Sequence, residues 1–142
     1  MAETNTGGHW IAIRPFHAVM VVSSVPMFLG AMLTDAAYAR TYEIQWNNFS
    51  SWLIVGGLVF AGVALLFAGF DLARVRSRTY GTGLYAAILL ATWVVGFSNA
   101  LMHARDAFAS MPTGLFLSII TAALACIAVW LGFRGSRVGA KP

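Results

Sequence analysis

The chain of 142 residues is 59% hydrophobic and only 10% charged, and its mean hydropathy is +0.75. Soluble domains carry about 25% charged residues, so this composition excludes a soluble protein and indicates a single membrane domain over residues 1–142. The net charge of +4 does not predict a nucleic-acid partner. The basic residues flank apolar runs, where they contact lipid headgroups.

Four apolar runs predict four transmembrane helices, at about residues 13–39, 51–72, 82–102 and 113–133. Each run is long enough to cross a hydrocarbon core that requires about 20 helical residues. We therefore expect an all-α, multi-pass membrane protein built as a four-helix bundle. The polar and small residues recur about every 3.5 positions, which predicts left-handed packing.

The first run carries a polar stripe at helical spacing, which consists of His17, Val21, Ser24, Phe28, Ala31, Asp35 and Tyr38. Since polar side chains avoid lipid, we expect this face to point into the bundle. The segment 37–39 resembles a signal-peptidase site. The run is long for a signal peptide and contains Pro26, so we expect a helix that is retained.

The other three runs also carry one distinctive face each. In the second run the small residues are Gly57, Ala61, Ala64 and Ala68, followed by Asp71. In the third run the face consists of Tyr85, Leu89, Thr92, Gly96, Asn99 and His103. In the fourth run it consists of Gly114, Ser118, Thr121, Ala125, Ala128 and Gly132. Membrane helices associate through small residues and hydrogen bonds, so we expect these faces to meet.

The basic residues are divided unequally between the two ends of the predicted bundle. One end carries Arg14, Arg74, Arg76, Arg78, Arg134, Arg137 and Lys141. The opposite end, which we call the outer end, has only Arg40 and Arg105. Because Lys and Arg are enriched in cytoplasmic loops, we expect both termini in the cytoplasm and the protein in the bacterial inner (plasma) membrane.

Connectivity predicts two polar clusters. Asp35 lies near the end of the first helix and Asn99 and His103 near the end of the third, so they form an outer cluster. His17 begins the first helix and Asp71 ends the second, so they form an inner cluster, with Tyr85 as a further candidate member. Ionisable residues within a membrane span are candidate functional residues. Both clusters are therefore candidate cofactor sites as well as candidate structural hydrogen-bond networks.

A haem b with two axial histidines is one possible cofactor. His17 and His103 are expected at opposite ends, on the order of 25 Å apart, so one haem cannot join them within a protomer. A haem held by one histidine, or between two copies, stays open. Metal binding requires three or four convergent ligands, and each cluster offers one histidine and one carboxylate. The single cysteine, Cys126, stands alone in the fourth run, so we expect no metal site.

The segment after the third run carries family motifs. They comprise Asn99, His103, Arg105 and Asp106, then Ser110, Pro112, Thr113, Gly114, Leu117 and Ser118, and finally Trp130, Leu131 and Gly132. From about Arg14 to Val138 the chain resembles the bacterial membrane proteins grouped as the domain of unknown function 2231 family. The resemblance implies a four-helix membrane domain whose activity is uncharacterised. The chain has Arg14 and Val25 before its first two prolines, where the family often has His and Phe.

Three functional hypotheses follow from this reading. The first is a non-catalytic structural or accessory subunit that packs against itself or against other subunits of a membrane assembly, for example an electron-transfer assembly. The second is a redox or binding module that holds haem, quinone or a metal at the outer cluster. The third is a small transporter, which would be expected to contain broken helices. Only Pro26 interrupts a run.

Overall fold

The computed structural model describes residues 15–74 and 80–137. The helices are α1 (Pro15–Thr41), α2 (Ile44–Arg74), α3 (Tyr80–His103), the short α4 (Ala107–Ser110) and α5 (Thr113–Arg137). No strand occurs among these residues, and α1, α2, α3 and α5 are each long and apolar enough to cross a membrane. The predicted all-α architecture with four spans is confirmed.

The connection between α1 and α2 is shorter than the sequence predicts. Residues 40–50 were expected to lie outside the helices, but only Tyr42 and Glu43 separate α1 from α2. Tyr42 adopts a left-handed conformation with φ of 56°, and its amide donates to the carbonyl of Tyr38 at 2.8 Å. This is a common way to end a helix. The polar residues that lower the hydropathy here belong to the first turns of α2.

The long helices form a ring in the order α1, α2, α3, α5, with α5 packed against α1. Each helix is therefore antiparallel to both of its neighbours, since successive spans alternate in direction. Helices α1 and α3 are diagonal to each other, and so are α2 and α5. Side chains from α1 and α3 can touch only across the centre of the bundle.

The predicted inward faces agree closely with the observed burial. The buried residues of α1 are the seven members of its predicted stripe. In α2, Gly57, Ala61, Ala64 and Ala68 are buried. In α3 the predicted face is buried from Leu89 to His103, and in α5 from Gly114 to Ala128.

Asp71 is the exception, because its side chain is exposed. The expectation that Asp71 points into the bundle is therefore wrong. The inward face of α2 ends at Ala68, and Asp71 lies three residues from the end of that helix. A carboxylate near a helix end can remain hydrated, which is more favourable than burial without a partner.

An aromatic ring fills the centre of the bundle between its two ends. Phe28 on α1 is 1% exposed and lies directly over Gly57 of α2, where an added Cβ would come within 2.6 Å of the Phe28 Cε1 atom. The same ring reaches the position of a Cβ at Gly96 of α3. Ala61, Ala122 and Ala125 complete this layer. It separates the polar groups of the outer end from those of the inner end.

Candidate functional site

The outer cluster is centred on a buried contact between Asp35 and His103. The Nε2 atom of His103 lies 2.8 Å from Oδ1 of Asp35, and the side chains are 0% and 1% exposed for Asp35 and His103 respectively. Asp35 comes from α1 and His103 is the last residue of α3. The contact therefore crosses the diagonal of the helix ring.

The His103 ring is held on both of its nitrogens. Nδ1 lies 3.0 Å from the backbone carbonyl oxygen of Asn99, one helical turn earlier. A carbonyl oxygen only accepts hydrogen bonds, so Nδ1 carries a proton and donates it. The hydroxyl oxygen of Ser50 on α2 lies 3.3 Å from Nε2, and this hydroxyl donates to the carbonyl of Ala31 at 3.3 Å.

The second oxygen of the Asp35 carboxyl accepts a hydrogen bond from α5. The donor on α5 in turn accepts a hydrogen bond from α3. Ser118 donates to Oδ2 of Asp35 at 2.5 Å. The amide nitrogen of Asn99 donates to the Ser118 hydroxyl at 2.7 Å. The network of Asp35, Asn99, His103, Ser50 and Ser118 thus draws side chains from all four long helices. The predicted convergence of Asp35, Asn99 and His103 is found.

Close packing fixes the position of the His103 ring. An added Cβ at Gly114, near the start of α5, would come within 2.9 Å of the His103 Cε1 atom. The absence of a side chain at Gly114 therefore allows the ring to lie against the backbone of α5. This is a physical role for the glycine in the Ser110-to-Ser118 motif.

A second polar layer lies between the network and the outer end. The hydroxyl of Ser110 donates to the backbone carbonyl of Ala107 at 2.6 Å and lies 3.3 Å from the side-chain oxygen of Asn47, and Ser110 and Asn47 are both buried. The hydroxyl of Ser51 donates to the Asn47 carbonyl at 2.9 Å. Tyr38, from the last turns of α1, is 1% exposed. These residues close the network off from the outer surface.

Sequence reasoning missed Asn47 and Ser50 as members of this end of the bundle. Both fall within the connection that the apolar runs predict, because the second run begins at Ser51. The small-residue face of α2 would have found them if it had been extended backwards, since steps of three and four from Gly57 reach Ile54, Ser50 and Asn47. All three are buried. Ser118 was placed on the inward face, but its bond to Asp35 was not foreseen.

The inner end holds a smaller arrangement. Nε2 of His17 lies 2.7 Å from the Tyr85 hydroxyl, and the His17 ring makes an edge contact with Phe67 at a centroid distance of 6.2 Å. No described side chain forms a hydrogen bond with Asp71. His17 and Asp35 are 18 residues apart on one helix, which corresponds to about 27 Å at about 1.5 Å per residue. The expected separation of the two clusters is found.

The chemistry open to the outer network is limited by its geometry. In a nucleophilic Ser-His-Asp triad, the serine and the carboxylate contact different ring nitrogens. Ser50 and Asp35 instead contact the same Nε2 atom, so the network does not have triad geometry. Within residues 15–74 and 80–137, no group of three or more His, Cys, Asp or Glu side chains could hold a metal ion.

The outer end contains buried polar atoms that have no hydrogen-bond partner among the described residues, and a groove on the outside of the bundle reaches His103. The Oδ1 atom of Asn99 and the hydroxyl of Tyr38 are buried without a partner among the described residues. A shallow groove between α2 and α3 reaches His103 from the outside of the bundle. It is lined by Ser51, Val55, Ala100, His103 and Ala104. A ligand that approached here would come from the lipid-facing surface.

The comparisons with known proteins give a family but no activity. No curated protein and no solved structure matches the chain. The family model described as Predicted membrane protein (DUF2231) matches residues 13–138, which include all five helices. The match agrees with the predicted resemblance and with the four spans of the structure. The chain therefore belongs to the DUF2231 family of predicted membrane proteins.

Proposed function

We propose that this protein is a non-catalytic accessory subunit of a larger membrane assembly, for example one that transfers electrons. The observation that supports this most strongly is the internal use of the polar side chains. Both ring nitrogens of His103 and both carboxyl oxygens of Asp35 are bound within the protomer. Buried groups that are satisfied in this way hold helices together and leave little for a reaction.

The perimeter of the bundle provides the surface that such a subunit needs. Large apolar side chains are exposed on every long helix, including Leu33 on α1, Leu66 on α2, Leu101 on α3 and Phe116 on α5. Lipid tails and the helices of another subunit, or of a second copy, can cover them equally well. Transport receives no comparable support, because the Phe28 layer fills the bundle between its polar ends.

The proposal includes an orientation in the bacterial inner membrane. Four spans place the two termini on the same side, and the basic residues at that end favour the cytoplasm. Reporter fusions that are active only in the cytoplasm should function at both termini. Activity of a periplasmic reporter at either terminus would contradict this orientation.

The accessory role is tested by purifying the full-length protein, tagged at its C-terminus, from its native membrane in a mild detergent. Native mass spectrometry should show the 15.2 kDa chain in a stoichiometric complex with other membrane subunits or with itself. An unrelated four-span protein with the same tag is the control for detergent-induced association. A chain that is monomeric under all conditions contradicts the proposal.

A second candidate function is a redox or binding module at the outer cluster, with quinone as the preferred ligand. The unpartnered Asn99 and Tyr38 oxygens and the groove at His103 favour this candidate. A quinone carries carbonyl groups that can accept a hydrogen bond from the Tyr38 hydroxyl, its reduced quinol form carries hydroxyl groups that can donate to Oδ1 of Asn99, and both forms dissolve in the bilayer. Haem b is a less suitable ligand, because His103 would have to release Asp35 from Nε2 before binding iron. The inner cluster residues His17 and Asp71 remain predictions as cofactor ligands.

Two measurements distinguish the accessory role from the binding module. The visible absorption spectrum of the purified protein detects bound haem, and extraction of bound lipids detects bound quinone. A Soret band, or a stoichiometric quinone, that is lost in His103→Gln and retained in His17→Gln would replace the accessory role by the module. His17→Gln is a matched control, since it changes a buried histidine at the opposite end. The absence of both signals supports the accessory role.

A further inference from the structure

The positions of the atoms in the contact between Asp35 and His103 determine how many protons the pair holds. Nδ1 of His103 is protonated, because it faces the carbonyl oxygen of Asn99. Nε2 and Oδ1 of Asp35 are only 2.8 Å apart, and this distance requires a proton between them. Without a proton, the nitrogen lone pair would face carboxylate lone pairs. With one on each atom, two hydrogens would collide.

The pair is therefore electrically neutral as a whole. It consists of an imidazolium with a carboxylate, or of an imidazole with a carboxylic acid, and the two forms differ only in the position of the shared proton. Ser118 stabilises either form through Oδ2.

The surroundings of the pair contain no charge that could compensate a second proton. Helix α2 contributes Ser50 to the contact, α3 contributes Asn99, and α5 contributes Gly114 and Ser118. Among the described residues, no other ionisable side chain contacts the pair. The charged residues of this end are Arg40, Glu43, Arg105 and Asp106, and all four are exposed.

A second proton would bind to the carboxylate of Asp35 and leave a neutral acid beside an imidazolium. The attraction across the diagonal would be lost, and a net positive charge would remain in a site with almost no solvent exposure. Burial of an uncompensated charge is strongly unfavourable. Hydration of the site would relieve this cost. Asp35 lies six residues before the end of α1, about 9 Å at about 1.5 Å per residue, so the nearest water is at the outer end.

We propose that the Asp35–His103 pair is a proton-sensitive link, in which one shared proton ties α1 to α3 and the binding of a second proton opens the outer end of the bundle. The device responds to acidification on the side of the membrane that this end faces. It does not depend on whether the protein is an accessory subunit or a binding module.

The test measures access to a buried position in the full-length protein in lipid vesicles. Ser110 is 0% exposed, and Ser110→Cys in a Cys126→Ser background introduces a thiol beneath the outer surface. Its labelling rate by a membrane-impermeant thiol reagent is divided by the rate at Thr41→Cys, an exposed position at the same end. The ratio removes the intrinsic effect of pH on thiol reactivity.

We expect the ratio to rise at least several-fold between neutral and acidic pH. The rise should be absent when Asp35→Asn and His103→Gln are introduced together, because this neutral pair cannot take up a proton. Asp71→Asn, which removes an exposed carboxylate at the inner end, should leave the rise unchanged. A ratio that is constant with pH, or that rises equally in the Asp35→Asn/His103→Gln protein, overturns the proposal.

A second measurement uses the unsubstituted protein and so does not depend on how the variants fold. Solid-state NMR of the protein labelled with ¹⁵N-histidine and with ¹³C at the aspartate carboxyl groups should show Nδ1 of His103 protonated at neutral pH. Acidification should produce one transition that changes His103 and Asp35 together. A neutral His103 protonated only at Nε2, or separate transitions for the two residues, would exclude the shared proton.

Discussion

At the scale of single residues, the most unusual feature is a carboxyl group and an imidazole buried together within a membrane span. Removing two such groups from water is costly, and their mutual attraction compensates only when the remaining hydrogen bonds are also satisfied. Ser118, Ser50 and the Asn99 carbonyl supply those bonds. The pair is therefore stable only as part of the complete network, which leads to two predictions about substitutions.

Removing one partner of the pair should be more harmful than removing both. In His103→Leu, Asp35 keeps its burial but loses its counter-charge, and we expect a loss of about 3–5 kcal/mol of unfolding free energy. Adding Asp35→Leu to His103→Leu should recover much of this loss, since a buried pair is often replaced by apolar residues without penalty. Unfolding in one defined detergent measures both values. A double variant that is less stable than His103→Leu contradicts this account.

Ser118→Ala should destabilise the protein by about 1–3 kcal/mol, because it leaves Oδ2 of Asp35 and the amide of Asn99 without partners in a buried site. The matched control is Ser98→Ala. Ser98 is exposed, and its hydroxyl donates to the carbonyl of Val94 in its own helix, so the change should be within about 0.5 kcal/mol of zero. Thermal unfolding of the two variants side by side gives the comparison. Equal effects would show that Ser118 does not support the Asp35 carboxyl.

At the scale of the helices, the bundle depends on close approach at glycines. Gly57→Ala places a methyl group 2.6 Å from the Phe28 ring, which is shorter than any acceptable contact. Both residues are buried, so the ring has little room to move. We expect a loss of about 1–3 kcal/mol from overpacking, measured as a lower unfolding temperature.

The control for Gly57→Ala lies on the same helix. Gly69 is exposed, and a Cβ added there meets nothing within 4 Å. Alanine is the better helix former by about 0.5–1 kcal/mol, so Gly69→Ala should be neutral or slightly stabilising. Destabilisation of the same size in both variants would mean that helix–helix contact at Gly57 is not the cause.

The sequence predicts the inward faces of the helices well, because polar side chains are unfavourable in lipid. The polar stripe of α1 can therefore face only the interior of the bundle. The sequence predicts helix ends poorly. Asn47 and Ser50 fall within a predicted connection because polar residues indicate the end of a span, although a helix can continue into the headgroup layer. Asp71 was placed inside by the same periodicity, although water is available where α2 ends. The hydrogen bonds among Asp35, His103 and Ser118 depend on side-chain geometry that periodicity does not contain.

At the scale of the whole molecule, the helices are longer than the hydrocarbon core. Helix α2 has 31 residues and is about 46 Å long at about 1.5 Å per residue, against a core of about 30 Å. Exposed aromatic residues lie near the helix ends, with Trp46 and Trp52 toward the outer end and Trp130 toward the inner end. Such residues favour the headgroup layer. The middle of each helix therefore faces acyl chains.

The position of Cys126 allows this placement to be tested. Its side chain is exposed in the protomer but lies near the middle of α5, where lipid surrounds it. A charged, membrane-impermeant maleimide should therefore fail to label Cys126 in intact vesicles and should label it after unfolding in detergent. Thr41→Cys in the Cys126→Ser protein should be labelled in intact vesicles from one side only. Rapid labelling of Cys126 in folded protein in the bilayer would show that α5 does not cross the membrane as proposed.

The bond across the diagonal also joins two helices that are not neighbours in the ring. Four antiparallel helices can be arranged around a ring in several orders, and contacts between small residues such as Gly57 and Ala61 distinguish these orders only weakly. The bond from Asp35 to His103 gives the diagonal helices α1 and α3 a direct link at the outer end, in addition to the packing of each against α2 and α5. A polar pair that contributes little net stability can therefore still fix how the ends of two diagonal helices lie relative to each other.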